Sequence, residues 1–243
     1  STVEEAFYDI AEAFNLAEEY QCPVIFLSDL QLSLGKQTVE PLSLEKIEIR
    51  RGKLVSEELP ELSNKGYFKR YELTEDGISP RVIPGMKNGI FHVTGVEHDE
   101  TGKPSEVAAN RKKQMDKRMK KLKNIRFKMP VYMDAPYEDP DLLMIGINST
   151  RGVIEEAKMR LESDGVKVHH AHIRLLHPFP AEEVAEAVSK AKKVAVIEHN
   201  ITGQLANIIK MNVGGAEKIR QINKYDGNPF LPHEVYEACK ELL

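Results

Sequence analysis

The sequence predicts an α/β protein whose carboxyl-terminal part, residues 141–243, is a doubly wound parallel sheet. Three observations carry that expectation. After Leu142, strand-length apolar runs alternate four times with segments of helical period. Near the start, a helix-like stretch feeds directly into a short apolar run, which is half of another α/β repeat. Between these regions lies a long stretch punctuated by Gly and Pro that has neither period. At 243 residues, 41% hydrophobic and 30% charged, the chain can bury one large core or two modest ones.

In chain order, Glu4 to Tyr20 reads as a helix, with Ala6, Phe7, Ile10, Ala13, Phe14 and Ala17 at helical spacing and acids near its start. Val24 to Leu27, after Pro23, reads as a buried strand. From Ser33 to about Lys103 the pattern is irregular, with a hairpin-like alternation around Ile47, Ile49, Arg51, Gly52, Leu54 and Val55. Stretches of this length without periodicity are uncommon inside a compact domain, so a functional or interface role is expected. Arg111 to Asn124 carries a local charge of +7, and Met115, Met119 and Leu122 form a narrow apolar stripe on it. Such a helix can be a solvated connector, a dock for an acidic protein, or a nucleic-acid contact; the lack of interleaved aromatics weighs against the last.

A linker follows through Pro130, Pro136 and Pro140. Strands are then expected at Leu142–Ile147, Val166–Ile173, Val194–Ile197 and Lys218–Ile222. The helices between and after them are Thr150–Ser163, Ala181–Ala191, Gly203–Val213 and Pro232–Leu243.

Several classes are disfavoured. No apolar run approaches the roughly 20 residues a membrane span needs, and no signal peptide opens the chain. The start at Ser1, without Met and almost at once in helical period, suggests a chain cut from something longer. Cys22 and Cys239 lie too far apart in sequence for a local metal knuckle or a C-x-x-C pair, which fits a reduced, cytoplasmic setting. A net charge of -4 argues against a nucleic-acid coat protein.

Ligands of open α/β sheets gather at the carboxyl ends of the strands, so the turns there are the candidate sites. In the Gly146–Gly152 turn, Thr150 is a candidate N-cap and free amides could hold an anion, although no nucleotide-binding glycine motif is present. Arg174, in the turn that runs through Pro178 and Pro180, could position a partner or pair with a buried acid. Glu198, His199, Asn200 and Gln204 converge on a helix start and form the most function-like cluster. His170 and His172 share one face of a strand and His169 the other, so packing is expected there and no metal site.

Two sets of motifs are recognisable together. Tyr71-Glu-Leu-Thr-Glu-Asp-Gly-Ile-Ser-Pro-Arg81, Val93-Thr-Gly-Val-Glu-His-Asp-Glu-Thr-Gly102 and Asn110-Arg-Lys resemble the alpha subunit of 2-oxoacid:ferredoxin oxidoreductases, most closely the 2-oxoglutarate type. Glu198-His-Asn-Ile-Thr-Gly-Gln-Leu205 and Lys224-Tyr-Asp-Gly-Asn-Pro-Phe230 resemble that subunit's transketolase-C-terminal-like domain. The resemblance implies that residues 1–125 end a thiamine-diphosphate pyrimidine-type domain with its extension and basic helix, that 126–140 link, and that 141–243 form the transketolase-like domain.

It further implies oxidative decarboxylation of a 2-oxoacid to an acyl-coenzyme A, with electrons passed to ferredoxin. Thiamine diphosphate and Mg would sit at the interface with a beta subunit that carries an iron–sulfur cluster, in a heterodimer or its dimer; neither a membrane nor a nucleic acid is implied as a partner. The family's Tyr-Pro-x-Thr-Pro motif and cofactor-binding acid are not in this sequence, so catalytic residues are not assigned and the chain alone should be inactive. Arg81, His92 and His98 are then expected near the subunit interface or substrate channel, and Arg174, Glu198, Asn200 and Gln204 at an interface supporting the cofactor domain. A noncatalytic docking scaffold is the competing reading, and a nucleotide-binding regulator a distant third.

Overall fold

The structure, a computed structural model, describes residues 1–61 and 66–243. The chain divides into two compact units: one of Ser1–Ala6, Leu27–Glu40 and Phe127–Leu243, the other of Phe7–Phe26 and Pro41–Arg126.

The first unit is built on a five-stranded sheet, in the order β1-β3-β2-β4-β5. The strands are β1 (Val131–Asp134), β2 (Leu142–Ile147), β3 (Val168–Ile173), β4 (Lys193–Glu198) and β5 (Ile219–Asn223). β2 to β5 run parallel; the near-continuous apolar runs of the central β2 and β4 reflect burial on both faces, whereas the edge strand β5 exposes Arg220 and Gln221. β1 pairs antiparallel with β3, Val131 opposite Ile173. The 126–140 segment expected as a linker therefore contributes an edge strand, which needs no apolar run because only one neighbour covers it.

Helices α4 (Thr150–Ser163) and α7 (Pro232–Lys240) cover one face, and α5 (Ala181–Lys190) and α6 (Gln204–Asn212) the other. Alternation along β2 sends Leu142 and Met144 to the first core and Leu143 and Ile145 to the second. Each such fully buried side chain contributes about 1.5–3 kcal/mol. Gly146 lets β2 approach α4: a Cβ there would lie 2.6 Å from Thr150 Oγ1.

The second unit holds most of α1 (Val3–Tyr20), the irregular stretch and α3 (Ala108–Lys123); the short α2 (Leu30–Leu34) belongs to the sheet unit. Three expectations fail here. Val24–Leu27 is not a strand: no partner pairs with it among the described residues, and Ile25 is 80% exposed. No hairpin forms around Gly52; Leu54 instead bridges Arg81, and the Glu48–Arg50 backbone is held by the buried Asn15 side chain, which donates to the Glu48 carbonyl and accepts from the Arg50 amide. The apolar stripes of α1 and α3 pack only in part, since Ala6, Phe7, Ala13, Ala17, Met115 and Leu122 are half-buried and the rest are not. Phe14 is 71% exposed and Met119 is exposed, while the inner face of α3 is polar, with Gln114 fully buried. An irregular partner offers bare carbonyls and carboxylates, so a helix facing it is selected for donors, not for apolar area. Among the described residues no helix is long and apolar enough to cross a membrane.

Candidate functional site

The chain moves from β2 outward to β3, then crosses back to β4, so the crevice between the carboxyl ends of β2 and β4 is the topological switch point of the sheet. The turn after β2 is tight, with Asn148 left-handed at φ 55°. Thr150 is not the N-cap. It is the first helical residue, and its hydroxyl donates to the Ile147 carbonyl and accepts from the Ile147 amide. The cap is supplied from far away in sequence: Asp29 Oδ2 accepts the Ser149 amide at 2.9 Å while Oδ1 accepts the Leu32 amide and caps α2. Burial would raise the Asp29 carboxyl, but the hydrogen bonds from Ser149 and Leu32 outweigh it and hold it below its ordinary value. The anion cradle expected at this helix start is thus filled by the chain's own carboxylate. Sequence reasoning missed Asp29; an Asp ahead of a short helical stretch signals the α2 cap, but nothing local signals its reach to Ser149.

Across the crevice, Glu198 is 1% exposed. Its carboxylate accepts the Leu205 and Ala206 amides at 2.7 and 3.1 Å and the Asn200 side-chain amide at 2.5 Å, so it caps α6 from the strand below. It has no face left for an interface and acts through the turn it holds. Asn200 Oδ1 accepts the Gln204 amide, and the Gln204 side chain is exposed. His199 Nε2 accepts the Phe230 amide at 3.2 Å, with the two rings 4.8 Å apart. Lys224 pairs with Glu234 at 2.5 Å, so the Lys224–Phe230 signature ties this turn to the start of α7. Arg174 donates to the Met129 carbonyl and lies over the Phe127 ring at 5.4 Å, anchoring the approach to β1.

Under α4, His170 and His172 are fully buried edge to face at 5.5 Å, and His169 lies on the opposite face, where it accepts the Tyr137 amide. His172 Nε2 bonds the Asn148 carbonyl, whereas both His170 nitrogens and His172 Nδ1 have no partner among the described residues. Burial pushes His170 down to about 4 and His172 to about 3, so both are neutral imidazoles at pH 7. No group of three His, Cys, Asp or Glu among the described residues could hold a metal.

In the second unit the sequence signatures form a clasp. Tyr71 donates its amide to the Glu100 carbonyl, and its ring lies tilted at 53° against His98, centroids 4.1 Å apart. Asp99 Oδ1 gathers the Thr101 amide and hydroxyl and the Lys103 amide. Glu97 pairs with both Arg111 and Arg118 of α3, at 2.6 and 2.8 Å. Gly77, at φ 79°, lets the Glu75–Ser79 turn touch α3: a Cβ would lie 2.6 Å from the Lys117 carbonyl. Arg81 bonds Glu18 and the Arg51 carbonyl, so it ties the irregular stretch to α1 and is already engaged. His92 is exposed, with its ring 4.5 Å from Tyr67. Of the three residues expected at a channel or interface, only His92 presents an open side chain, since the His98 ring is spent on Tyr71 and on the Val96 carbonyl.

These features define a doubly wound α/β unit coupled in sequence to an irregular clasp unit. Residues 1–117 match the family "Pyruvate flavodoxin/ferredoxin oxidoreductase, thiamine diP-bdg", and residues 140–235 match "Pyruvate:ferredoxin oxidoreductase core domain II". The 2-oxoacid:ferredoxin oxidoreductase 2 alpha subunit of Aeropyrum pernix is 36% identical over 98% of this chain and 37% of its own length. The 2-oxoglutarate synthase subunit KorA of Methanothermobacter marburgensis is 29% identical, over 97% of this chain and 60% of its own. The 2-oxoglutarate:ferredoxin oxidoreductase of Magnetococcus marinus, solved with 2-oxoglutarate, coenzyme A and succinyl-CoA bound, superposes with a TM-score of 0.88 at 33% identity, over 100% of this chain and 41% of that one. The chain belongs to the 2-oxoacid:ferredoxin oxidoreductase alpha-subunit family, and spans little more than a third of the length of relatives such as the Aeropyrum protein.

Proposed function

We propose that this chain is a working part of the alpha subunit of a thiamine-diphosphate-dependent 2-oxoacid:ferredoxin oxidoreductase of the 2-oxoglutarate type, acting in the cytoplasm. The reaction is oxidative decarboxylation of a 2-oxoacid to the acyl-coenzyme A, with two electrons passed to ferredoxin. The observation that supports the reading is the superposition of the whole of this chain on 41% of the Magnetococcus chain, whose described ligands are 2-oxoglutarate, coenzyme A and succinyl-CoA.

The described residues do not by themselves make a seat for thiamine diphosphate or Mg. Asp29 takes the Ser149 amide at the α4 start, and no acidic or histidine cluster of metal-binding size is present among the described residues. The cofactor would therefore rely on groups outside this sequence, with the iron–sulfur cluster on a beta subunit. This chain's contribution is architectural. The clasp presents exposed Ile90, Val93 and Val96 beside His92, an apolar surface that fits burial against the beta subunit. In the sheet unit, Glu198 holds Asn200 and Asn200 holds the Gln204 amide, so that the exposed Gln204 side chain offers a polar contact of the kind that supports the cofactor domain.

The test is viologen reduction by the intact alpha subunit co-purified with its beta partner, given 2-oxoglutarate, coenzyme A and thiamine diphosphate, each then omitted in turn. Reduction that needs all three, and none from this chain alone, is expected. An iron–sulfur-loaded complex of verified cofactor content that stays silent with 2-oxoglutarate, pyruvate and branched 2-oxoacids would replace this reading with a docking scaffold. Asn200→Ala should lower assembly or turnover of the complex; wild-type values for both would remove it from the interface.

A further inference from the structure

The clasp unit gathers cations that its own acids do not neutralise. Around them, pairing is the rule: Arg50 meets Glu12 and Glu19, Arg111 and Arg118 meet Glu97, and Lys53 meets Asp76. Three half-buried cations break it. The Arg70 side chain makes no hydrogen bond or ion pair among the described residues, and its guanidinium lies 5.6 Å from the centre of the Tyr71 ring. Lys117 gives one hydrogen bond, to Ser79 Oγ at 2.5 Å, and Lys121 gives one, to the Gln21 carbonyl at 3.0 Å. Gln21 sits at φ 49° to offer that carbonyl, while its side chain bonds the Ser79 carbonyl on the other side of the cluster.

Lys117 and Lys121 lie one turn apart on α3, and Gln114 of the same helix donates to the carbonyl of Tyr71, the residue after Arg70. Burial first, then Lys121, Arg70 and Arg118, push the Lys117 ammonium down to about 8, against a weaker pull from Glu100. Burial also lowers Lys121 and Arg70, with Arg118 and Arg81 adding to the repulsion, Cys22 the opposing neighbour of Lys121 and Tyr71 that of Arg70. A half-buried site with surplus positive charge and open N–H donors is complementary to a compact anion. One planar guanidinium fork and two ammonium groups supply donors in several directions and more than two positive charges, which suits a tetrahedral dianion better than a single carboxylate.

We infer that Arg70, Lys117 and Lys121 form an anion seat for the phosphate or pyrophosphate group of a small molecule. The inference stands on these side chains and does not need the oxidoreductase reading. It is tested on the whole chain by calorimetry and amide NMR, with inorganic phosphate and inorganic pyrophosphate as probes at constant chloride. Saturable one-to-one pyrophosphate binding is expected, weakened roughly tenfold or more by Arg70→Gln and by Lys121→Gln. Lys112→Gln, on the exposed face of α3 where Lys112 pairs with Asp116, should leave it unchanged. Because a bound anion favours the charged Lys117, affinity should fall as pH rises past about 8. No saturable binding at millimolar pyrophosphate, or equal losses in Lys112→Gln, would overturn the seat. Should Arg70→Gln fail to fold, Arg70→Lys serves: it keeps the charge but not the fork, and affinity unchanged within twofold would remove Arg70 from the site.

Discussion

The buried histidine pair makes the sheet unit sensitive to acid. His170 and His172 are packed between β3 and α4 with unpartnered nitrogens, beside Arg151 and Lys158, which oppose a second positive charge, and Asp134, which favours it. Their folded-state values are about 4 and about 3, against 6.5 for an ordinary histidine. Below 6.5 the unfolded chain therefore binds more protons than the native one, so stability present above that pH drains away as pH falls through the window toward 4 and 3. Between pH 7 and pH 5 the linkage amounts to about 2 kcal/mol for each histidine and about 4 for the pair. That is a large share of the roughly 5–15 kcal/mol that holds a typical domain together. Urea unfolding followed by circular dichroism at pH 7, 6 and 5 should show the midpoint moving steadily down. The His170→Gln, His172→Gln double variant, less stable at pH 7, should lose most of that slope. A wild-type midpoint constant over this range, a double variant with the full slope, or imidazole resonances that titrate near 6.5 would each refute the argument.

Three further outcomes follow from the geometry. Glu198→Gln keeps the shape but removes the charge from a buried cap and turns an amide toward an amide, so it should cost about 2–4 kcal/mol in urea unfolding; a loss under roughly 0.5 kcal/mol would contradict the capping role. Gly77→Ala meets both a positive φ and the α3 backbone and should destabilise the clasp by more than about 2 kcal/mol, whereas Gly85→Ala, at φ 87° in open space, should cost about 1. Burial pushes the Cys239 thiol up to about 12, so a thiol reagent should modify Cys22 in the folded chain and reach Cys239 only on unfolding; fast modification of both would show that α7 is not packed as described.

The sheet unit was legible because its signals are local. From β2 to α7, apolar runs of strand length alternate with helical periods, and turn residues separate them, so strand and helix positions agree to within a few residues. β1 was hidden because Val131–Asp134 lies among prolines and has strand identity only through pairing with β3. Val24–Leu27 is the reverse case, a run with every local mark of a strand and no neighbour to pair with among the described residues.

The candidate sites divide the same way. Glu198, Asn200 and Gln204 stood out because polar residues at a helix start are rare enough to notice, but sequence could not say that the carboxylate faces inward. Composition, period and motif order determined the fold class of the carboxyl-terminal part and the family, since these depend on residue type and spacing along the chain. Tertiary structure alone decided that Asp29 takes the Ser149 amide, that Arg81 is tied to Glu18, and that Lys117 and Lys121 spend their ammonium groups on Ser79 and the Gln21 carbonyl. The reason is that a charge's role depends on which partner reaches it through space, and these partners lie up to 120 residues away along the chain.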